Sequence, residues 1–307
     1  MKFGKTSLFF FRKFMMDLDK RRMASFTIDD HFRKKVDIPY IDDGNNLHKL
    51  DVYYADDYMK RGVCVIDIHG GSFIFGSRKN TEYFKDLFLN NGFDFVAIDY
   101  IHNDGHQGIE NQIQDCAHAI NYIGDHKKEL GLENDVFFVT GDSAGGLLSL
   151  FITLLQDDKS LRKETGILLN DKIHLEGALL NCPVYSLIKL SEREMLTESG
   201  KERMFGVNFK YENYRRLYSP SSHIDKLKTP LFVSTCRNDF LREQSLSIKE
   251  DVERLHFPYF QFLDIFVLDK NVAHVHNVNL PDLDESKQVN NAMIEFIKMT
   301  YKRVYGK

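Results

Sequence analysis

The hexapeptide Gly141-Asp142-Ser143-Ala144-Gly145-Gly146 stands between the apolar run VFFVT at 136–140 and the apolar stretch LLSLFITLL at 147–155. A glycine-rich turn between a β-branched, aromatic run and a longer apolar run reads as strand, tight turn and helix. Glycines on both sides of Ser143 let neighbouring backbone approach without a Cβ clash, so the serine can occupy a strained turn with its hydroxyl exposed. The helix that follows then aims its positive N-terminal end at that hydroxyl. In this setting G-x-S-x-G predicts a nucleophilic serine. Without the flanking strand and helix, the same residues would be an ordinary turn.

The rest of the chain repeats the alternation. Strands are predicted over 36–41 and 48–54 as an opening hairpin, then over 63–68, 93–99, 136–140, 175–180, 230–235 and 260–268. Helices are predicted over 83–90, 109–130, 145–156, 245–255 and 286–305. This is the pattern of an α/β fold, a mostly parallel sheet flanked by helices on both faces. With no internal repeat or Pro/Ser-rich linker among the 307 residues, one domain over 1–307 is expected. The stretch 185–222, rich in charge and aromatics, breaks the alternation and reads as an insertion forming a lid.

Composition narrows the partners. The chain is 43% hydrophobic and 28% charged, as soluble globular proteins are, and its net charge of −4 supplies no field for nucleic acid or an anionic membrane surface. Cys64, Cys116, Cys182 and Cys236 form no C-x-x-C pair, and they are expected to be reduced core residues of a cytoplasmic protein. At the N-terminus, Leu8, Phe11, Phe14, Met15 and Leu18 recur at helical spacing. Arg12 and Lys13 interrupt a run too short to span a bilayer, so no integral membrane association is expected. An amphipathic helix packed on the body is the plainer expectation, and an interfacial anchor the sharper one.

A serine hydroxyl needs a base, an acid to orient the base, and donors for the oxyanion. The strand at 63–68 runs into His69-Gly70-Gly71-Ser72-Phe73, whose backbone N–H groups are unobstructed. Gly70, Gly71 and Ala144 are therefore the expected oxyanion donors. In the chain order Ser, Asp, His, the acid is Asp239, after the run PLFVSTC, although an Asp before a helix can be only its cap. The base is His274 or His276 in AHVHN. Spacing does not choose between them, since residues two apart in an extended segment point the same way.

HGGSF, GDSAGG, NDFLREQS and AHVHNV, in this order over about two hundred residues, resemble the hormone-sensitive-lipase-like carboxylesterases, the alpha/beta hydrolase fold-3 family. The resemblance implies an α/β-hydrolase fold with an eight-stranded, mostly parallel sheet, and a small helical cap from residues 1 to about 35 and about 185–222. It makes His274 the catalytic histidine, with His276 where phenylalanine is usual. Ser72, in place of a glycine, is expected near the substrate with Phe73 and Asp142, and Asp142 to brace the elbow or the oxyanion loop.

The implied activity is hydrolysis of a small-molecule ester with a short acyl group, acetyl foremost, through an acyl-enzyme. No metal or organic cofactor is required. The oligomeric state is left open, a homodimer included. An amidase or peptidase using the same triad, and a non-catalytic binding protein on the same fold, are the alternatives.

Overall fold

The apolar runs pair into one eight-stranded sheet. In the computed structural model, which describes residues 4–28, 30–193, 196–267 and 269–306, the strands are β1 Lys34–Pro39, β2 Lys49–Tyr53, β3 Val63–Ile68 and β4 Phe93–Ile98. They continue as β5 Val136–Asp142, β6 Leu175–Asn181, β7 Leu231–Cys236 and β8 Phe260–Ile265. Their order across the sheet is β1-β2-β4-β3-β5-β6-β7-β8. The opening hairpin pairs antiparallel, β2 pairs antiparallel with β4, and every later neighbour is parallel. Every residue of β3, β4 and β7 is buried, as expected of parallel strands covered on both faces.

Twelve α-helices among the described residues flank or cap the sheet: α1 Lys5–Ser25, α2 Lys85–Leu89, α3 Ile109–Asp125, α4 Lys127–Leu130, α5 Ser143–Asp157 and α6 Lys159–Thr165 in the first half. The second half has α7 Leu187–Ser191, α8 Glu198–Phe205, α9 Glu212–Leu217, α10 Arg242–Arg254, α11 His276–Asn279 and α12 Asp284–Tyr305. Two apolar clusters lie on opposite faces. One joins Ile66, Ile98 and Leu180 to Ile113 of α3, Leu147 and Phe151 of α5, and Ile248 of α10. The other joins Val65, Phe95 and Phe232 to Phe88 of α2 and to Val289 and Phe296 of α12. At about 1.5–3 kcal/mol for each fully buried large apolar side chain, these clusters are the main source of stability.

Some expected boundaries move for local reasons. The helix expected over 109–130 breaks at His126, whose backbone leaves the helical region, and α4 ends on left-handed Gly131. The stretch 83–90 starts as a 3-10 turn over Glu82–Phe84. Helix α6 was not expected; the Asp158 carboxylate caps it by accepting from the Ser160 N–H, and Gly166 closes it with a φ of 71°. The strand expected over 260–268 stops at Ile265, and Leu268 lies outside the described residues, as do residues 1–3, Asp29, Glu194 and Met195 of the expected cap.

Candidate active site

Ser143 sits between β5 and α5 with φ +53°, a left-handed conformation that a non-glycine residue adopts only when its surroundings enforce it. The enforcement is steric. A Cβ on Gly145 would stand 1.9 Å from the Ile68 carbonyl oxygen, and one on Gly141 would stand 2.4 Å from that of Gly145. Only glycine allows β3, the turn and α5 to approach this closely, so the serine is presented at the head of the helix.

The acid and base expected from sequence meet. Asp239 follows β7 and is buried, and His274 Nδ1 lies 2.6 Å from its Oδ1. The same Oδ1 accepts the Leu241 N–H at 2.8 Å, and Oδ2 accepts the Thr235 hydroxyl at 2.8 Å. Burial alone would raise the Asp239 pKa, but the His274 hydrogen bond and charge, with the Leu241 and Thr235 donors, hold it below the ordinary 3.8. A carboxylate held ionised in this way can fix the imidazole orientation and stabilise its charged form.

His276 is elsewhere. Val275 is left-handed, with φ 58° and ψ 32°, so the segment is not extended, and the expectation that both histidines point one way is corrected. His276 opens α11, is buried, and places Nδ1 3.0 Å from Ser286 Oγ. Burial, the leading cause, lowers its pKa and so keeps it neutral.

The loop after β3 also differs in one respect. The Gly70 N–H, expected to serve the oxyanion, donates to Asp142 Oδ1 at 2.8 Å. It is therefore committed, and Asp142 is the brace expected of it. A Cβ on Gly70 would lie 2.2 Å from Asp142 Oδ2. The Gly71 N–H has no such acceptor among the described residues, and Ala144 is in the first turn of α5, where N–H groups lack intrahelical partners. Ser72 and Phe73 turn the loop with φ 51° and 64°, and the Phe73 carbonyl accepts from Asn103 N and Gln112 Nε2, each at 2.8 Å.

Two cavities meet at Ser143. The larger, about 290 Å³, is walled mainly by apolar side chains, among them Leu8, Phe11, Phe73, Leu196, Met204 and Phe205. The smaller, about 140 Å³, has polar groups in its wall, Asp19, Arg22, Asn80, Asp142 and His274, beside Phe11, Met15, Phe75 and Phe240. Phe11, Ser72, Ser143 and Phe240 border both. Phe240 is exposed, with its ring centroid 4.2 Å from that of His274, and its carbonyl accepts from Arg193 of the inserted stretch at 3.0 Å. Thus 185–222 and α1 both reach the site.

Sequence reasoning singled out Ser143, Asp239 and His274 but missed this lining. Asp19 and Arg22 lie one helical turn apart on α1 and pair at 2.9 Å, while the Asp19 Oδ2 accepts from Asn80 at 3.0 Å. Burial is the leading cause that raises the Asp19 pKa. Their i,i+3 spacing was visible, but nothing in it marked the pair as reaching a cavity. Asn277 was also missed. Its Nδ2 donates to Asn181 Oδ1 at 2.8 Å and Asn290 Oδ1 at 3.1 Å, anchoring the loop that carries His274. Among the described residues, Cys182, Asp239 and His274 are the one trio whose ligand atoms lie within 4.8 Å of one another, and there Cys182 Sγ accepts the Val275 N–H at 3.3 Å. All four cysteines are free and buried.

The sequence profile of the BD-FAE family matches residues 50–251. No curated protein matches the chain. Among solved structures, esterase B from Lactobacillus rhamnosis, inhibited by a C4-C4 tributyrin phosphonate, superposes with a TM-score of 0.82 at 21% identity, covering 94% of this chain and 93% of that one. A bacterial heroin esterase superposes at 0.70 and 17% identity over 98% and 94% of the two chains. A hyperthermophilic esterase from the archaeon Pyrobaculum calidifontis does so at 0.70 and 19% over 97% and 93%. The fold is the α/β-hydrolase fold, as the motifs led one to expect.

Proposed function

The chain belongs to the BD-FAE family, and from that premise we propose that it is a serine carboxylesterase acting on small esters through an acyl-enzyme. Ser143 Oγ attacks the ester carbonyl, and His274 Nε2 takes its proton and returns it to the leaving alcohol. The Nδ1–H of His274 meanwhile donates to Asp239. Water then attacks the acyl-enzyme by the same route in reverse. The oxyanion is held by the N–H groups of Gly71 and Ala144, since that of Gly70 serves Asp142.

The observation that carries this reading is the 2.6 Å contact of His274 with a buried, ionised Asp239, on the rim of a cavity that Ser143 also lines. The larger cavity fits the acyl chain, and the smaller one, with the polar groups in its wall, the alcohol. At about 290 Å³ the acyl side exceeds what a methyl group fills, so short aliphatic chains beyond acetyl are included in the proposed range. Residues 1 to about 35 and about 185–222 act as the cap of a single hydrolase domain. The structural neighbours named above are esterases, which agrees with this activity.

The test is hydrolysis of p-nitrophenyl acetate, butyrate and octanoate by wild-type protein, Ser143→Ala, His274→Ala and His276→Ala. We expect kcat to fall by at least about 10³-fold in the first two variants and little in the third. Activity surviving in Ser143→Ala would sink the reading. Equal losses in folded His276→Ala and His274→Ala would overturn the assignment of the base.

A further inference from the structure

Helix α1 is apolar on two sides at once. Its inner face carries Leu8, which is buried, and Phe11, which packs edge-on against Phe75 at 6.1 Å, and both line the acyl cavity. From the same turns Phe9, Phe10 and Phe14 project outward, 55%, 63% and 59% exposed, with Met16 and Leu18 exposed beside them. At roughly 100° per residue, Phe9, Phe10, Phe14 and Met16 and the exposed Lys13, Asp17, Lys20 and Arg21 fall on the half of the helix facing away from the protein, with Leu18 at its edge. A helix with apolar side chains on both faces, packed on one only, leaves the other without cover. Three phenylalanines in water on one short stretch are the kind of exposed patch that marks an interaction surface.

We propose that this outer face of α1 docks the protein on an anionic lipid surface. Charge complementarity selects the occupant. Three cations to one anion are interleaved with the phenylalanines, so rings can enter the acyl boundary while Lys13, Lys20 and Arg21 meet lipid phosphates. This local balance is opposite in sign to the chain's net charge of −4, so it is a property of this face and not of the whole protein. The helix lies on the surface and does not cross it, because no helix among the described residues is long and apolar enough to span a membrane. Leu8 and Phe11 wall the cavity on the other side of the same turns, so docking places the acyl cavity about one helix diameter from the lipid. Docking itself does not depend on the esterase reading.

The full chain is sedimented with vesicles of phosphatidylcholine alone and of equimolar phosphatidylcholine and phosphatidylglycerol. The expected result is binding to the anionic vesicles that weakens as salt is raised. Phe9→Ser/Phe10→Ser/Phe14→Ser should lower the partition coefficient by about tenfold or more, and Lys13→Glu/Lys20→Glu/Arg21→Glu should abolish the preference for anionic lipid. Far-UV circular dichroism and hydrolysis of soluble p-nitrophenyl acetate report whether the variants remain folded. Phe10→Ser alone, at the most exposed of the three rings, carries the test if the triple variant does not. Wild-type protein that stays in the supernatant with both vesicles overturns the proposal, as does folded triple variant that partitions like wild type. A dimer in sedimentation equilibrium that the phenylalanine variant dissociates, without vesicle binding, would assign the face to a second copy and overturn it equally.

Discussion

Asp142, the residue before Ser143, accepts the Gly70 N–H at 2.8 Å across 72 positions of sequence, tying the turn after β5 to the loop opposite it. The bond fixes where the Gly71 N–H stands relative to Ser143. Burial is the leading cause raising the Asp142 pKa, and the Gly70 donor and the His69 and His274 rings oppose it. Asp142→Ala should therefore lower kcat by roughly ten- to a hundredfold, less than loss of an oxyanion donor itself, with a smaller change in KM. Asp142→Asn retains an acceptor for Gly70 and should restore most of the rate. Steady-state kinetics on p-nitrophenyl butyrate checks both, and an Asn variant as slow as the Ala variant would refute the bracing role.

The far end of the same loop is held by charge. Arg78 is buried among Asp37, Asp51 and Asp99, at 2.9 Å from Asp51, and its N–H also donates to Asp99 at 2.6 Å. Asp51 and Asp99 are themselves buried. Replacing the arginine by methionine keeps much of the volume but leaves buried carboxylates without their cation. Arg78→Met should cost about 3–5 kcal/mol in urea unfolding at neutral pH. A loss below about 1 kcal/mol would mean that water reaches the carboxylates and screens them.

What the sequence made legible follows from how local each signal is. The strands and the elbow were readable because their information lies within ten consecutive residues: apolar runs, glycines and a serine. Asp239 and His274 were readable because chain order narrowed the choice and the family resemblance favoured His274 over His276, whereas the left-handed backbone of Val275 that separates the two rings is encoded by no spacing. Gly70 looked like an oxyanion donor until the side chain of Asp142, distant in sequence, claimed its N–H. Cavity walls were least legible. Leu8 from α1 and Met204 from α8 become neighbours of Ser143 only through tertiary packing, and a leucine or methionine at helical spacing reads the same whether it faces a core or a substrate.

The loop carrying His274 depends on a buried amide network. Asn277 donates to Asn181 and Asn290, Asn290 returns a bond to the Asn277 carbonyl at 3.0 Å, and the Ser234 hydroxyl donates to Asn181 at 2.9 Å. Asn277→Ala leaves the buried Asn290 Oδ1 without its donor and Asn181 Oδ1 with that of Ser234 alone, at about 1–3 kcal/mol for an unsatisfied buried group. The melting temperature should fall and kcat with it, because His274 lies three residues away. Asn277→Asp, which replaces the donor by an acceptor, should be worse than alanine in thermal unfolding at pH 8.

Asp67 supplies a pH dependence independent of Asp239 and His274. It is buried on β3, where the Thr81 hydroxyl donates to it at 3.0 Å, and desolvation, reinforced by the charge of Asp142, pushes its pKa from 3.8 up to about 7. The folded protein thus binds this proton more tightly than the unfolded chain does. The stabilisation is fully present below the unfolded value, declines as pH rises from about 4 to about 7, and is gone above that range. Asp67→Asn mimics the protonated acid at every pH and can still accept from Thr81. Urea unfolding of both proteins between pH 5 and 8 should therefore show the variant gaining on wild type as pH rises, with the largest advantage at pH 8. If the two curves stay parallel across this range, Asp67 does not carry its proton into the neutral region, and the burial that raises its pKa is offset by donors beyond Thr81.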